Sequence, residues 1–235
     1  KKNGIVAYSS GNHAQAVAYA AKIHNIDAKI VIPNNAPKIK IKNTKKYGAE
    51  VILYDAFFES REQIGNDIKE KENRSLIKPY DDIDIIAGQG TAGFEIVKDL
   101  KKLSITPDIY LCCCGGGGLI AGTSTYLKHE FPNLKIYSVE PEGFDDTKKS
   151  LENKKITKNP SNTKSICDAL LAPMPGNITF PINLKNLDGG ISVTDKEVKK
   201  TIIILSEYLK IVVEPGGAVA AAALLNKKIN IKNKK

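Results

Sequence analysis

Two short polar segments of this 235-residue chain hold the residues whose types and spacing could do chemistry. Cys114-Gly115-Gly116-Gly117-Gly118-Leu119 sets four consecutive glycines between an apolar run and a helix-forming stretch. Without Cβ atoms, several backbone N–H groups can turn inward around a tetrahedral anion at a helix N-terminus, which is how a phosphate is held. An ordinary flexible turn is the competing reading, but four glycines flanked so tightly by apolar elements favour the cradle. The nucleotide fingerprints fit less well: the G-x-G-x-x-G form lacks a downstream acidic ribose partner, and no G-K-[ST] follows. Ser9-Ser10-Gly11-Asn12-His13 occupies the same place in its own unit, after a strand and before a helix. Its hydroxyls, amide and helix-start N–H groups could hold a carboxylate without a cation, with simple N-capping by Ser10 or Asn12 as the alternative. A phosphate cradle together with a carboxylate cradle suggests an amino-acid substrate working with a phosphorylated cofactor.

The elements that must position these loops alternate along the chain. Ile5–Tyr8 reads as a strand and Ala14–Lys22 as an alanine-rich helix. The unit recurs with strand Ala28–Ile32 closed by Pro33, helix Lys38–Tyr47, strand Glu50–Tyr54, helix Ser60–Lys71 and a short strand at Leu76-Ile77. The Asp-rich turn Tyr80–Asp84 reads as a hinge. Beyond it come helix Gly90–Lys101, strand Ile109–Cys114, helix Leu119–Lys128, strand Ile136–Val139 and helix Asp145–Glu152. An irregular, Pro-rich region spans Lys154–Leu187, followed by strand Ile191–Val193, a helix from Thr194 to Leu209 with a Thr194/Glu197 capping box, and a final helix after Glu214-Pro215. The alternation implies an α/β class: two domains with mainly parallel twisted sheets flanked by helices, a smaller one over residues 1–82 with the serine-asparagine loop and a larger one over 83–235.

Composition narrows the partners. The chain is 42% hydrophobic, enough at this length for a real core, and its longest apolar stretches fall short of the roughly 20 residues that cross a bilayer. A formal charge of +9 raises nucleic acid as a partner, but Arg61 and Arg74 are the only arginines and the lysines are scattered, so no nucleic acid and no membrane is the expectation. Cys112, Cys113, Cys114 and Cys167 make no C-x-x-C pair; they read as small packing residues in a reducing, cytoplasmic compartment. Asn226–Lys235 reads as a loose tail.

Five motifs in order then carry a resemblance. Ser9-Ser10-Gly11-Asn12-His13-Ala14-Gln15, the tetraglycine loop, Val139-Glu140-Pro141-Glu142-Gly143-Phe144-Asp145-Asp146, Ile166-Cys167-Asp168-Ala169-Leu170 and Val213-Glu214-Pro215-Gly216-Gly217-Ala218 resemble the successive motifs of the threonine/serine dehydratase and serine racemase family. These are pyridoxal-phosphate enzymes of the tryptophan-synthase-β fold type (fold type II). The resemblance implies that Gly115, Gly116, Gly117, Gly118 and Leu119 bind the cofactor phosphate, that Asn12 meets the pyridoxal 3′-oxygen, and that Glu214 lies at the cofactor ring. It implies that Ser9, Asn12 and His13 seat the substrate carboxylate and that Ser10 holds the racemase second-face acid/base position. Glu140, the Phe144 carbonyl and Asp146 match a Mg²⁺ or Ca²⁺ site, a solvated helix start being the alternative. The family's Schiff-base lysine lies upstream of the serine-asparagine loop, so the expectation is a piece of a longer polypeptide, trimmed at both ends. The implied activity of the full-length protein is dehydration and deamination of L-threonine or L-serine to a 2-oxo acid and ammonia, as a homodimer. Serine racemase is the alternative, and a non-catalytic fragment or degenerate cofactor-binding module is a third reading.

Overall fold

The structure is a computed structural model that describes residues 3–9 and 11–235. Two compact units part between Pro79 and Tyr80.

In the first unit, β1 (Ile5–Tyr8), β2 (Ala28–Pro33), β3 (Glu50–Tyr54) and β4 (Ser75–Ile77) form a parallel sheet in the order β3-β2-β1-β4. Helices α1 (Asn12–Ile23), α2 (Lys38–Lys46) and α3 (Arg61–Glu72) connect them. The two-residue period of the strands sorts their side chains between two layers. Ala7, Ile30 and Ile32 pack with Ala14, Ala18 and Ala21 of α1, while Val6, Tyr8 and Val31 pack with Ile64 and Ile68 of α3. Ile30 and Ile32 are wholly buried, each contributing about 1.5–3 kcal/mol. A parallel sheet needs crossover helices, and the crevice beyond its strand C-termini is where such folds bind ligands. The serine-asparagine loop, between β1 and α1, lies there.

The second unit carries α4 (Ile83–Lys102), β5 (Ile109–Cys113), α5 (Gly118–Glu130), β6 (Lys135–Pro141), α6 (Asp146–Asn153), α7 (Thr179–Asn186), β7 (Gly189–Val193), α8 (Asp195–Ile204) and α9 (Pro215–Leu225). Its sheet is parallel in the order β5-β6-β7. Cys112, Cys114 and Ile136 face Val97, Ile120 and Leu127 on one side. Leu111, Cys113, Val139 and Val193 face Val198, Ala218, Val219 and Ala222 on the other. The glycine loop joins β5 to α5 at the strand C-termini.

Three expectations change. Helix α4 starts at Ile83, not Gly90, because Asp82 Oδ1 caps it by accepting from the Asp84 and Ile85 N–H groups at 2.9 and 3.2 Å. The glycines within α4 let it cross α5 closely: a Cβ on Gly93 would sit 3.0 Å from the Thr123 carbonyl oxygen, and one on Gly90 3.3 Å from that of Gly122. Of the Asp-rich turn Tyr80–Asp84, residues 80–82 are a bend directly after the point where the two units part, and Ile83 and Asp84 open α4. Within the supposedly irregular Lys154–Leu187 lies α7, whose Pro181 falls in the first turn, where a missing N–H costs no helical bond. Helix α8 gives way at Leu205–Leu209 to a wider π-helical turn ended by left-handed Lys210, rather than running regularly to Leu209. The Thr194/Glu197 capping box is present. The tail is tied at its end, where the Lys235 carbonyl accepts from the Asp108 N–H at 2.9 Å.

Candidate functional site

Helix α5 begins on the glycine loop. Gly117 takes φ +91, a conformation that costs an L side chain, and Gly118 opens the helix. Among the described residues, none of the N–H groups of Gly115, Gly116, Gly117, Gly118 or Leu119 donates a hydrogen bond. Their carbonyls are engaged instead. Gly116 accepts from Thr179 Oγ1 at 2.8 Å, and Gly117 accepts from the Ala121 N–H at 2.9 Å and from Asn183 Nδ2 at 3.3 Å. With the carbonyls turned toward α7 and along α5, the donors are left for an anion, and the positive end of the α5 dipole reinforces them.

The packing around the loop explains why side chains are excluded. A Cβ on Gly116 would run into the Tyr80 ring, one on Gly118 would lie 2.9 Å from Tyr80 Cβ, and one on Gly117 2.6 Å from Asn183 Nδ2. Leu170, ending the Ile166–Leu170 motif, lies against Gly115, and Ala169 of the same motif lies against Gly216. Glu214 is the N-cap residue of α9, and the first turn of that helix meets the strand leading into the glycines, with Cys113 Sγ 3.6 Å from the Gly217 carbonyl oxygen. The tetraglycine, Ile166–Leu170 and Glu214 motifs are therefore one cluster within this unit.

In the first unit, Gly11 is the N-cap residue of α1 with no side-chain cap, so Asn12 is the first helical residue rather than a cap. Ser9 is buried, and its Oγ accepts from the Gly11 N–H at 3.1 Å. His13 is held below the ordinary histidine pKa by burial, and its Nε2 meets the Ile77 carbonyl at 3.3 Å. A neutral imidazole donating from Nε2 presents a lone pair at Nδ1, so the donor His13 can offer a carboxylate is its first-turn main-chain N–H. Ser10 lies outside the described residues. Lys40, a buried residue of α2 that sequence reasoning missed, runs its stem over Gly11, where a Cβ would be 3.0 Å from its Nζ.

At the β6–α6 turn, Glu140 is fully buried and accepts the Thr147 and Lys148 N–H groups, both at 2.8 Å. Burial pushes its pKa well up, and the Asp146 charge adds to that. Asp146 itself is pushed to about 7, chiefly by burial; Asn159 Nδ2 donates to its Oδ1 at 2.5 Å, and its buried Oδ2 has no hydrogen-bond partner among the described residues. Gly143, with φ +81, bends the turn, and the Phe144 N–H donates to the Pro141 carbonyl. Among the described residues no group of three or more His, Cys, Asp or Glu side chains is arranged to hold a metal. Both Glu140 oxygens are thus taken by main-chain N–H groups, and Asp146 Oδ2 is the carboxylate oxygen of this pair left open to a cation.

The cysteines are free, and burial raises their pKa values, Cys112 to about 12 and Cys167 to about 11, which suits packing rather than nucleophilic chemistry. No helix among the described residues is long and apolar enough to cross a membrane.

The chain is similar to known proteins in sequence and in fold. The model of a family described as "Pyridoxal-phosphate dependent enzyme" matches residues 1–235. The chain is 39% identical over 235 residues to serine racemase of Schizosaccharomyces pombe, covering 100% of this chain and 71% of that protein. It is 37% identical to L-threonine ammonia-lyase of Thermotoga maritima, again over all of this chain but 57% of that protein. Among solved structures, maize serine racemase superposes with a TM-score of 0.90 at 38% identity, covering 96% of this chain and 67% of that one.

Proposed function

The chain belongs to the pyridoxal-phosphate dependent enzymes, and from that premise we propose that the full-length protein dehydrates and deaminates L-threonine or L-serine to a 2-oxo acid and ammonia in a reducing, cytoplasmic setting. The carrying observation is the row of five N–H groups from Gly115 to Leu119 at the start of α5, which donate to no other described residue. A dianionic phosphate is the guest they suit, since each charge-assisted bond is worth about 1.5–3 kcal/mol. When bound, pyridoxal phosphate supplies the electron sink for charge developing at the substrate α-carbon.

The chain's own residues divide the remaining work. Gly115 to Leu119 anchor the phosphate, and Glu214, at the start of α9 next to the same strand, is assigned to the cofactor ring. In the first unit, the first-turn N–H groups of α1, with Ser9 and Asn12, are assigned to a substrate carboxylate. The His13 ring stays neutral near pH 7 and holds the loop to Ile77 rather than exchanging a proton with substrate. Ser10 is assigned the acid/base position that a racemase uses. Glu140, the Phe144 carbonyl and Asp146 would hold a divalent cation, which neutralises the buried carboxylates and stiffens the turn.

The test is release of 2-oxo acid and ammonia from threonine and serine by the full-length, cofactor-loaded protein. Turnover of either substrate supports the reading. D-serine in excess of pyruvate would replace it with a racemase, and neither product would leave a cofactor-binding module.

A further inference from the structure

Three consecutive residues, Tyr80, Asp81 and Asp82, tie separate parts of the second unit together. Tyr80 lies against Gly116 and Gly118, and Asp82 caps α4. Asp81 Oδ1 accepts from the Ile178 N–H at 2.7 Å and the Thr179 N–H at 3.3 Å, the start of α7. From that anchored helix end, Thr179 Oγ1 donates to the Gly116 carbonyl at 2.8 Å and accepts from the Gly176 N–H at 3.0 Å. One turn on, Asn183 Nδ2 reaches the Gly117 carbonyl at 3.3 Å. Thr179 and Asn183 are both wholly buried, so these bonds are shielded from water.

A peptide plane has two ends. Fixing the carbonyl of Gly116 fixes the direction of the Gly117 N–H, and fixing that of Gly117 fixes the Gly118 N–H. Glycine by itself lets these planes rotate, and a donor row that must be ordered on binding loses affinity to that ordering.

We propose that Asp81, Thr179 and Asn183 are positioning residues for anion recognition: they hold the Gly116 and Gly117 peptide planes in the one orientation that points the loop's N–H groups at a phosphate. This rests on the phosphate reading of the loop. The rigidity thus comes from α7, an element outside the glycine motif.

The test uses the full-length protein and two ligands, pyridoxal phosphate and pyridoxal, which differ only in the phosphate. Thr179→Val keeps shape and removes the hydroxyl. The expected result is an affinity for pyridoxal phosphate about 3- to 10-fold weaker, the net value of a lost hydrogen bond, with pyridoxal affinity unchanged. The ³¹P resonance of the bound cofactor should shift and broaden, and Thr179→Ser should restore both readouts. Asp81→Ala, which leaves the hydroxyl in place but frees the helix start, should shift them the same way and serves if the valine variant does not fold. Equal loss of both ligands, or undiminished affinity for pyridoxal phosphate in folded variants, would overturn the proposal. If the unaltered protein does not discriminate the two ligands at all, the phosphate reading itself fails.

Discussion

Gly117→Ala is the substitution for which the structure specifies most. The residue sits at φ +91, where an L side chain costs about 1–2 kcal/mol. Its Cβ would lie 2.6 Å from Asn183 Nδ2 and 3.1 Å from Thr179 Oγ1, both on wholly buried residues. Relief requires α7 to retreat, which breaks the bonds to the Gly117 and Gly116 carbonyls at about 0.5–1.5 kcal/mol each. Together these give a destabilisation of about 2–5 kcal/mol, or a fall in Tm of roughly 4–20 °C for a protein of this size. Gly48→Ala is the matched control: Gly48 has φ +94, but nothing lies within 4 Å of its Cβ position, so only the backbone cost should appear. Urea unfolding and cofactor titration of both variants make the comparison, with pyridoxal phosphate binding weakened at least about tenfold in Gly117→Ala alone. A Gly117→Ala protein as stable as Gly48→Ala, with undiminished cofactor affinity, would refute the claim that α7 closes this side of the loop.

Three other outcomes are expected. An unfolded imidazole takes up a proton as pH falls through 6.5 while buried His13 does not, so the unfolded state binds more protons and stability falls with pH below that value; His13→Gln should flatten the slope of unfolding free energy between about pH 7 and 5. Cys112, Cys114 and Cys167 should resist an aromatic disulfide reagent at pH 8 in the native protein and react on denaturation, since all three are buried with raised pKa values; rapid native reaction of any of them, resolved by peptide mapping, would contradict that. Thr194→Ala removes one half of the capping box on α8 and should lower stability by about 0.5–2 kcal/mol in chemical denaturation, with cofactor affinity unchanged.

Much of this protein is determined locally and is legible in the sequence. The β1–α1 and β5–α5 junctions follow from apolar runs ending in polar or glycine-rich turns, because strand and helix periodicities are properties of a few adjacent residues. The four glycines mark a turn that excludes side chains, and in the fold a Cβ at Gly116, Gly117 or Gly118 would meet Tyr80 or Asn183. What tertiary structure alone decided is where neighbours are distant in the chain. Gly88, Gly90 and Gly93 weaken a helix by propensity, yet α4 runs through them because its close crossing with α5 offers more than they cost. Helix α7, eight residues with a proline, has too short a pattern to be seen, and it exists where Asp81, almost a hundred residues away, supplies its missing partners. Lys40 falls on Gly11, and Thr179 and Asn183 on the glycine carbonyls, by packing that no local spacing encodes. The candidate site residues are written in motifs, while the neighbours that pack on them come from burial and from hydrogen bonds closed across the fold.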